Sequence, residues 1–400
     1  MPAPASRNEQ AGSAARSRAF AEGDCPPAGP VDPCRAAPAA FLERVLRVSR
    51  AHGITRLADV TGLDRIGLPV WQAVRPAGKS LSVHQGKGVS DEAARVGALC
   101  EAIEAHCAEN APADGPCCPF DSLPEAERAP DWGDYCRVRG DGSPHPGVIQ
   151  WCQATDLLSG RRCHLPHDLV SLDFTRGLPS RFERASSGLG AGASEGDALQ
   201  TSLLEVIERD AVGQWGRLDR AVRLATAIDV ESVSYPWFQS WRCRLASLHV
   251  SLQVFALESV IGVPVVMCTI GGREEFGSAW RRFSGTAAHG NPQIALFRAL
   301  AEAIQSRLTL IAGVRDDIMP AYYARPRPRP AEGDCAAGRM AWRQDGILDL
   351  DAETIAAKLA TRGYRQVAYK RLDAGLEEIA VTKAFVPGLG SSRRTRRDIA

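Results

Sequence analysis

Three helical stretches of this 400-residue chain place paired polar side chains where a buried helix would carry only core. The first pair is Glu101 and Glu104, the second Glu205 and Glu208, the third Glu302 and Gln305. Side chains three residues apart share one helix face, and like charges so placed repel by about 0.2–0.5 kcal/mol. Each pair also encloses apolar neighbours: Ala102-Ile103, Val206-Ile207 and Ala303-Ile304. Such helices are nearly apolar all round, so their acids are expected to be partly buried. A buried carboxylate is costly unless it is paired or binds a metal. A single E-x-x-E pair is commonly a solvated face or a local salt bridge. Three pairs in apolar helices, each after a glycine-containing segment, point to convergence on one space.

A convergent set of carboxylates repels itself when empty and suits Mg2+, which takes hard oxygen ligands and keeps phosphate and water in its shell. Lys87, Arg209, Arg298 and Arg307 stand close enough in sequence to neutralise phosphates. Together these are the parts of a nucleoside-triphosphate site. Other nucleotide motifs fail. There is no G-x-x-x-x-G-K-[ST] string, so no P-loop. Gly188-x-Gly190-x-Gly192 lacks the dinucleotide-loop spacing, which argues against a Rossmann fold. His289 reads as a hydrogen-bonded structural residue, and no Ser-His-Asp or Cys-His set can be selected from spacing.

Composition narrows the class. Lys plus Arg is 48 against 47 for Asp plus Glu, so an overall electrostatic nucleic-acid binder is not expected. The 12 cysteines have no C-x-x-C spacing, and they read as free thiols of a reducing compartment. The first forty residues lack the apolar core of a signal peptide, and no apolar run is long enough to span a membrane, so a cytoplasmic location is expected.

Residues 1–40, rich in Ala, Pro and Gly, read as a disordered leader, 41–390 as a single domain, and 391–400 as a basic flexible tail. Within the domain, Phe41, Val45, Leu46 and Val48 predict a helix before Gly53. Val60-Thr61, Leu68–Val74 and Leu81–Val83 predict strands. The apolar period predicts helices over 91–108, from Ser194 or Asp197 to about 213, and from Pro292 onward. Ser186–Ser194 reads as a glycine-rich loop, and 110–145 as loop. Further strands are predicted at 148–154, as a pair within 249–270, and at 366–371 and 380–386, with a helix at 352–361. Arg325–Pro330 reads as an extended proline-rich loop.

These motifs resemble the YcaO family. Gly86-Lys87-Gly88 followed by Ala98-Leu99-x-Glu101-Ala102-Ile103-Glu104 resembles the start of its domain. Ser187-Gly188-Leu189-x-Ala191-Gly192, then Leu204-Glu205-Val206-Ile207-Glu208-Arg209-Asp210-Ala211, resembles its centre. Gly285-x-x-x-His289 with Ala295-Leu296-x-Arg298-Ala299-Leu300-x-Glu302-Ala303-x-Gln305-x-Arg307-Leu308 resembles its third motif, and Val386–Leu389 its end. The resemblance implies a layered α/β fold of mixed helix and sheet, neither P-loop nor Rossmann. It implies an enzyme that uses ATP and Mg2+ to phosphorylate a peptide-backbone amide oxygen, which a nucleophile then displaces. By motif position, Glu101, Glu104, Glu205 and Glu208 would hold Mg2+. Glu205, Glu208 and Arg209 would serve catalysis. Lys87, Arg209, Glu302, Gln305, Arg307 and Lys383 would contact nucleotide. Gly97, Ala105, Gly190 and Ala193 depart from residues common in the family, and Asp197 takes a common acidic place.

Thr61–Pro76 and Gly313-x-Arg315-Asp316-Asp317 resemble TfuA-associated members, which are linked to backbone thioamides. The C-terminus lacks the proline-rich end common in azoline-forming members. The resemblance therefore implies thioamidation of a ribosomally made precursor peptide or protein, with a TfuA-like partner and a sulfide source. Azoline or amidine formation is the alternative within the family, and a non-catalytic leader-peptide-binding scaffold the alternative outside it. A homodimer is possible, with no nucleic-acid or membrane partner expected.

Overall fold

The computed structural model describes residues 29–30, 38–130, 132–135, 147–176, 182–273, 280–320, 323, 340–343, 346–372 and 379–389. Most of the expected leader, the Arg325–Pro330 run and the basic tail lie outside the described residues. Helix α1 spans Pro38–Ser49, so helix begins before the expected domain start. Strands β1 (Arg56–Asp59), β2 (Val70–Val74) and β3 (Val83–Lys87) follow, then α2 (Asp91–Glu109). Next come β4 (Cys117–Cys118), β5 (Ile149–Asp156), β6 (Arg162–Pro166), the short α3 (His167–Val170) and β7 (Leu189–Gly192). The middle of the chain forms α4 (Glu195–Arg217), α5 (Arg220–Ala225), α6 (Pro236–Ser247), β8 (Ser251–Leu257), β9 (Val265–Arg273) and β10 (Trp280–Ala288). It closes with α7 (Pro292–Ala312), α8 (Ala352–Thr361), β11 (Ala368–Arg371) and β12 (Ala380–Phe385).

The strands form three antiparallel sheets, ordered β1-β2-β3, β10-β9-β8 and β4-β5-β11-β12-β7, with β6 on β5. Each sheet feeds one long helix: β3 leads to α2, β7 to α4 and β10 to α7. The turns stop in side-chain caps, which satisfy the orphan N–H groups of a first helical turn. Ser90 accepts from Ala93 N, and Asn291 accepts from Gln293 N before Pro292. Ser194 and Asp197 form a reciprocal capping box, so both residues named from sequence act together.

The helices sit directly on strand glycines. A Cβ built on Gly86 would lie 2.0 Å from Ala94 O and 2.1 Å from Ala98 N. On Gly190 it would lie 2.6 Å from Ala198 O and 2.8 Å from Ser202 N, and on Gly285 2.4 Å from Ala299 O and 2.3 Å from Ala303 N. In all three, the strand backbone meets a carbonyl of the following helix and the amide four residues on. Each helix then reaches the next unit: α2 touches β7, α4 touches β10, and α7 returns to β3. The three units close a ring.

Apolar faces fill the space outside that ring. Leu99 and Ile103 of α2 join Trp151 and Leu165, Leu203 and Ile207 of α4 join Ile355 and Leu359, and Leu300 and Ile304 of α7 join Phe238 and Trp241. Eight described cysteines are free thiols. Burial raises Cys152 and Cys163 to about 12 and raises Cys268 as well, which keeps them neutral. No helix among the described residues is long and apolar enough to cross a membrane.

Several sequence expectations are corrected. Ser186–Ser194 is not all loop, because Leu189–Gly192 pairs with β12 as β7. Val60-Thr61 is not a strand: Val60 begins the 3-10 turn Thr61–Leu63, and β1 lies just before it. The 110–145 region contains β4, paired with β5. Strands β6 and β10 and helix α6 were not anticipated.

The glycine seats predict a sharp contrast. Gly285→Ala should destabilise the protein by about 1–3 kcal/mol, because its Cβ meets helix backbone that cannot yield. Gly216→Ala, on the exposed end of α4 with nothing within 4 Å, should stabilise it by up to about 1 kcal/mol. Urea denaturation of both variants checks this.

Candidate functional site

The ring of α2, α4 and α7 surrounds a cavity of about 1280 Å3. That is ample for a ligand of nucleotide size, since such pockets run from about 300 to 1,000 Å3. Glu101 and Glu104 line it from α2; Glu205, Glu208 and Arg209 line it from α4; Arg298, Glu302 and Gln305 line it from α7. Lys87, at the end of β3, lines it too. The three helices therefore converge as their spacing predicted.

The acids divide into two groups. On one side, Glu101 Oε2 accepts the Gln85 N–H at 3.1 Å, and its Oε1 lies 3.9 Å from His84 Nδ1. Burial alone would raise this carboxyl, but His84, Gln85 N–H and Lys87 together hold it below the usual range. On the other side stand Glu205, Glu208 and Glu302. Burial pushes Glu205 from its ordinary 4.5 up to about 7, against the pull of Arg209, with Glu208 adding repulsion. Burial also raises Glu208, reinforced by Glu302, although Thr286 Oγ1 donates to Glu208 Oε1 at 2.5 Å. Burial works against the Arg209 charge, but Glu205, Glu208 and Glu302 outweigh it and raise its pKa. Arg209 Nη2 lies 3.3 Å from Glu205 Oε1, and Lys87 Nζ lies 3.9 Å from Glu302 Oε2. Arg209 and Lys87 offset these acids only in part, and burial leaves Glu205 and Glu208 with raised pKa values.

Expected members are not all at the cavity. Arg307 turns away and binds Asp64 with both nitrogens, at 2.7 and 3.3 Å, so it does not line the cavity. Lys383 is buried behind the wall and donates to Ala185 O. Burial lowers its pKa to about 8, although Glu205 pulls the other way. His289 is structural: its Nδ1 accepts the Asn291 N–H at 2.9 Å. Among the described residues, no group of three His, Cys, Asp or Glu is gathered to hold a metal ion. The four proposed Mg2+ ligands line one cavity without forming a closed cage.

The donor set nonetheless fits Mg2+ and a nucleotide. Mg2+ is usually held by one or two carboxylates plus substrate phosphates, with water completing its shell. Two carboxylate groups facing an open space match that habit better than a cage does. Polar atoms are also left waiting at the wall. Gln85 Nε2 and Gln305 Oε1 are buried without a protein partner. An unsatisfied buried polar atom costs about 1–3 kcal/mol, which a polar ligand in the cavity would relieve.

Sequence reasoning missed the strand residues that orient the acids. His84, Gln85 and Thr286 are ordinary in sequence and become functional only through pairing. Gln85 Oε1 accepts from Thr309 Oγ1 and lies 3.5 Å from Gln305 Nε2, which ties α7 to β3. The only signal was position, one or two residues from motif glycines.

Comparison with known proteins gives the family and the fold. Residues 85–390 match the family described as YcaO cyclodehydratase, ATP- and Mg2+-binding. An uncharacterised protein from the tfuA 3′ region of Rhizobium leguminosarum bv. trifolii is 34% identical over 364 residues, covering 85% of this chain and 84% of that one. A heterocyclase solved with substrate and cofactor superposes with a TM-score of 0.68 at 20% identity, covering 87% of this chain. The chain spans only about half, 52%, of that heterocyclase. The Methanopyrus kandleri YcaO bound with AMPPCP and Mg2+ gives 0.62 at 20% identity, covering 88% of this chain and 91% of that one. At these identities the structures show the common fold.

The crowded acids set a pH signature. Glu205 holds its proton to about 7 when folded against 4.5 when unfolded, so its ionisation costs stability. This contribution is most favourable below 4.5, falls as pH rises to about 7, and stays low above that. The interval corresponds to about 3 kcal/mol, as an upper bound. Without nucleotide, Glu205→Gln should therefore unfold at higher temperature than the natural protein at pH 8 and lose that advantage at pH 4.5. Its stabilisation by Mg2+ and ATP should shrink. Calorimetric scans with and without Mg·ATP measure both.

Proposed function

Because the chain belongs to the YcaO family, we propose that it uses ATP and Mg2+ to phosphorylate a peptide-backbone amide oxygen, leading to a thioamide with sulfide as nucleophile. The single observation that carries this reading is the shared cavity, which carboxylates from α2, α4 and α7 line together. The tfuA-region relative, 34% identical over most of both chains, supports the thioamide branch and a TfuA-like partner. The substrate is a precursor peptide or protein.

Mg2+ supplies neutralisation of the phosphate charge that the acids themselves cannot supply. Phosphoryl transfer asks little of a protein beyond positioning and charge. Glu101 and Glu104 would hold the cation from α2, and Glu205 and Glu208 from α4. Glu101 is the acid ready to do so at neutral pH, because His84 and the Gln85 N–H already favour its charged form. Glu205, which burial now holds toward its protonated form, would ionise beside a bound cation. Arg209, 3.3 Å from Glu205 Oε1, would hold the transferring phosphoryl group. Lys87, Glu302 and Gln305 line the nucleotide path. Lys383, whose pKa burial lowers to about 8 against the pull of Glu205, supports that wall from behind. Arg307 acts through its pair with Asp64, which anchors α7.

The chemistry balances. The amide oxygen gains the phosphoryl group, sulfide adds to the amide carbon, and phosphate leaves with the original oxygen. The product then carries sulfur in place of oxygen, a gain of about 16 mass units through a displaced activated oxygen. Incubation with ATP, Mg2+, sulfide, the TfuA-like partner and the precursor should give this gain by mass spectrometry. A loss of about 18 units, the elements of water, would instead assign azoline or amidine formation by the same activation. Glu205→Ala and Glu208→Ala should each lower product formation by at least about 100-fold, the usual cost of removing one electrostatic element of a site. Undiminished product formation in both would refute the assignment.

A further inference from the structure

The chain beyond α7 reaches back to the start of β3, just ahead of the histidine that holds Glu101. Helix α7 ends at Gly313, whose left-handed conformation (φ 64°) turns the backbone out of the helix, with its N–H on Thr309 O at 3.3 Å. A turn follows, closed by the Ile318 N–H on Arg315 O at 3.2 Å. Arg315 grips Asp317 with two nitrogens, at 2.9 and 2.6 Å, and both residues line the cavity. Asp316, between them, goes elsewhere. Its Oδ2 accepts the Ser82 N–H at 2.9 Å, and its Oδ1 accepts the Ser82 hydroxyl at 2.6 Å. These bonds hold the Asp316 carboxyl below its usual range, so it is an ionised acceptor at neutral pH.

Ser82 lacks that acceptor within its own sheet. The β2–β3 ladder continues one pair past β3, with the Arg75 N–H on Ser82 O at 2.7 Å. The reciprocal bond does not form, because Arg75 O instead accepts the Gly78 N–H at 3.0 Å in the turn between the strands. Asp316 supplies the missing partner from 234 residues away in sequence. The third unit therefore holds residues 82–85 at both ends. Asp316 takes Ser82, while Thr309 and Gln305 take the Gln85 side chain. Between them, His84 Nε2 lies 3.1 Å from Leu81 O, and its Nδ1 faces Glu101 Oε1 at 3.9 Å. The Gln85 N–H binds the other oxygen of Glu101 at 3.1 Å. We propose that Asp316 is a positioning residue for the Mg2+-binding face of the cavity: by completing the ladder at Ser82, it fixes the β3 groups that orient Glu101. The inference rests on the reading of Glu101 as a Mg2+ ligand. It gives a task to a segment whose sequence stands apart from the acidic helices. Groups that orient a metal ligand without touching the metal are worth about 10–100-fold in metal affinity.

The experiment measures, on the full-length chain, the Mg2+ concentration that gives half of the full melting shift at a fixed excess of ATP. Asp316→Ala should raise that half-point about tenfold, the low end of the range, because Asp316 acts on Glu101 through β3. Asp316→Asn should stay within about twofold of the natural protein, since an amide can accept the Ser82 N–H and donate to the Ser82 hydroxyl. That rescue separates the hydrogen bonds from the loss of a negative charge. Asp156→Ala is the matched structural control. Asp156 accepts the Val367 N–H at 3.1 Å and the Ser159 hydroxyl at 2.6 Å, and it does not line the cavity. This variant should melt at a lower temperature with its Mg2+ half-point unchanged. Equal half-points for Asp316→Ala and the natural protein, no rescue by Asp316→Asn, or an equal rise in Asp156→Ala would each overturn the proposal. A natural protein whose melting ignores Mg2+ and ATP would overturn the Mg2+ reading of the cavity and the proposal with it. Failure of the proposal alone leaves that response intact, so the two failures are told apart.

Discussion

Everything at the site depends on backbone-to-backbone contact between three strand glycines and the helices that follow them. Gly86, Gly190 and Gly285 each remove the one atom that would hold helix and strand apart. The helix then approaches closely enough for its next turns to reach the neighbouring unit. That is why Glu208 of α4 meets Thr286 of β10, and why Gln305 and Thr309 of α7 meet Gln85 of β3. These cross-unit hydrogen bonds turn three local motifs into one cavity wall. The first two units repeat their geometry closely: from glycine to first acid is fifteen residues in both, Gly86 to Glu101 and Gly190 to Glu205. In the third, β10 runs further past its glycine before Asn291 caps α7, so Glu302 sits one turn earlier relative to its seat. The ring is thus made asymmetric, and the third helix presents one acid and one amide instead of two acids.

The same packing creates the electrostatic tension. Helices held this close to strands leave the acids little water, so ionising Glu205 and Glu208 is opposed by burial before their mutual repulsion is counted. Glu101 escapes because β3 offers it an N–H and a histidine. A fold selected for stability alone would resolve the difference by replacing Glu205 or Glu208 with an amide. Raised pKa values at Glu205 and Glu208 mean that ionising them costs stability in the empty cavity, and a cation bound there would return that cost as affinity.

Much of this was legible in the chain, for physical reasons that also explain the gaps. Helices α2, α4 and α7 announce themselves through apolar residues at three- and four-residue spacing, α4 also through Ser194 or Asp197 and α7 through Pro292, whereas the caps Ser90 and Asn291 emerge only in the fold. Strand β7 does not, because Leu-Gly-Ala-Gly has almost no side chain to alternate; it is a strand only because β12 pairs with it and α4 covers it. Strand β10 is obscured by Arg281 and Arg282 and by its own seat glycine. The convergence of Glu101, Glu104, Glu205, Glu208, Glu302 and Gln305 followed from periodicity, since it needed only one face per helix. The fate of Arg307 did not. It lies five residues beyond Glu302, about 100° per residue around α7, on a different face, and its partner Asp64 comes from a distant 3-10 turn. Lys383 likewise alternates into the sheet interior of β12.

The departures from family pattern take on a different meaning once the contacts are known. Gly97 stands where a larger residue is common, which in sequence alone raises the prospect of a weakened site. In the fold, Gly97 lies opposite Gly86, and a Cβ there would approach Gly86 Cα to 3.2 Å. It belongs to the helix-to-strand seat, so its smallness tightens the ring. Ala105 is buried and lines the cavity, so a charged side chain in its place would face the ligand space. Gly190 is itself a seat, with no room for a side chain between β7 and α4. At Ala193 the carbonyl receives Arg44 of α1 at 3.4 Å, so the rim there is completed by the N-terminal helix. Gly97 and Gly190 thus concern how closely the elements pack, Ala105 leaves a small side chain at the cavity wall, and at Ala193 the carbonyl is met by Arg44 from α1. None removes an acid from the cavity. A scaffold that only presented a peptide would have no use for acids whose burial it does not compensate, and their retention is the physical reason to favour chemistry over passive binding.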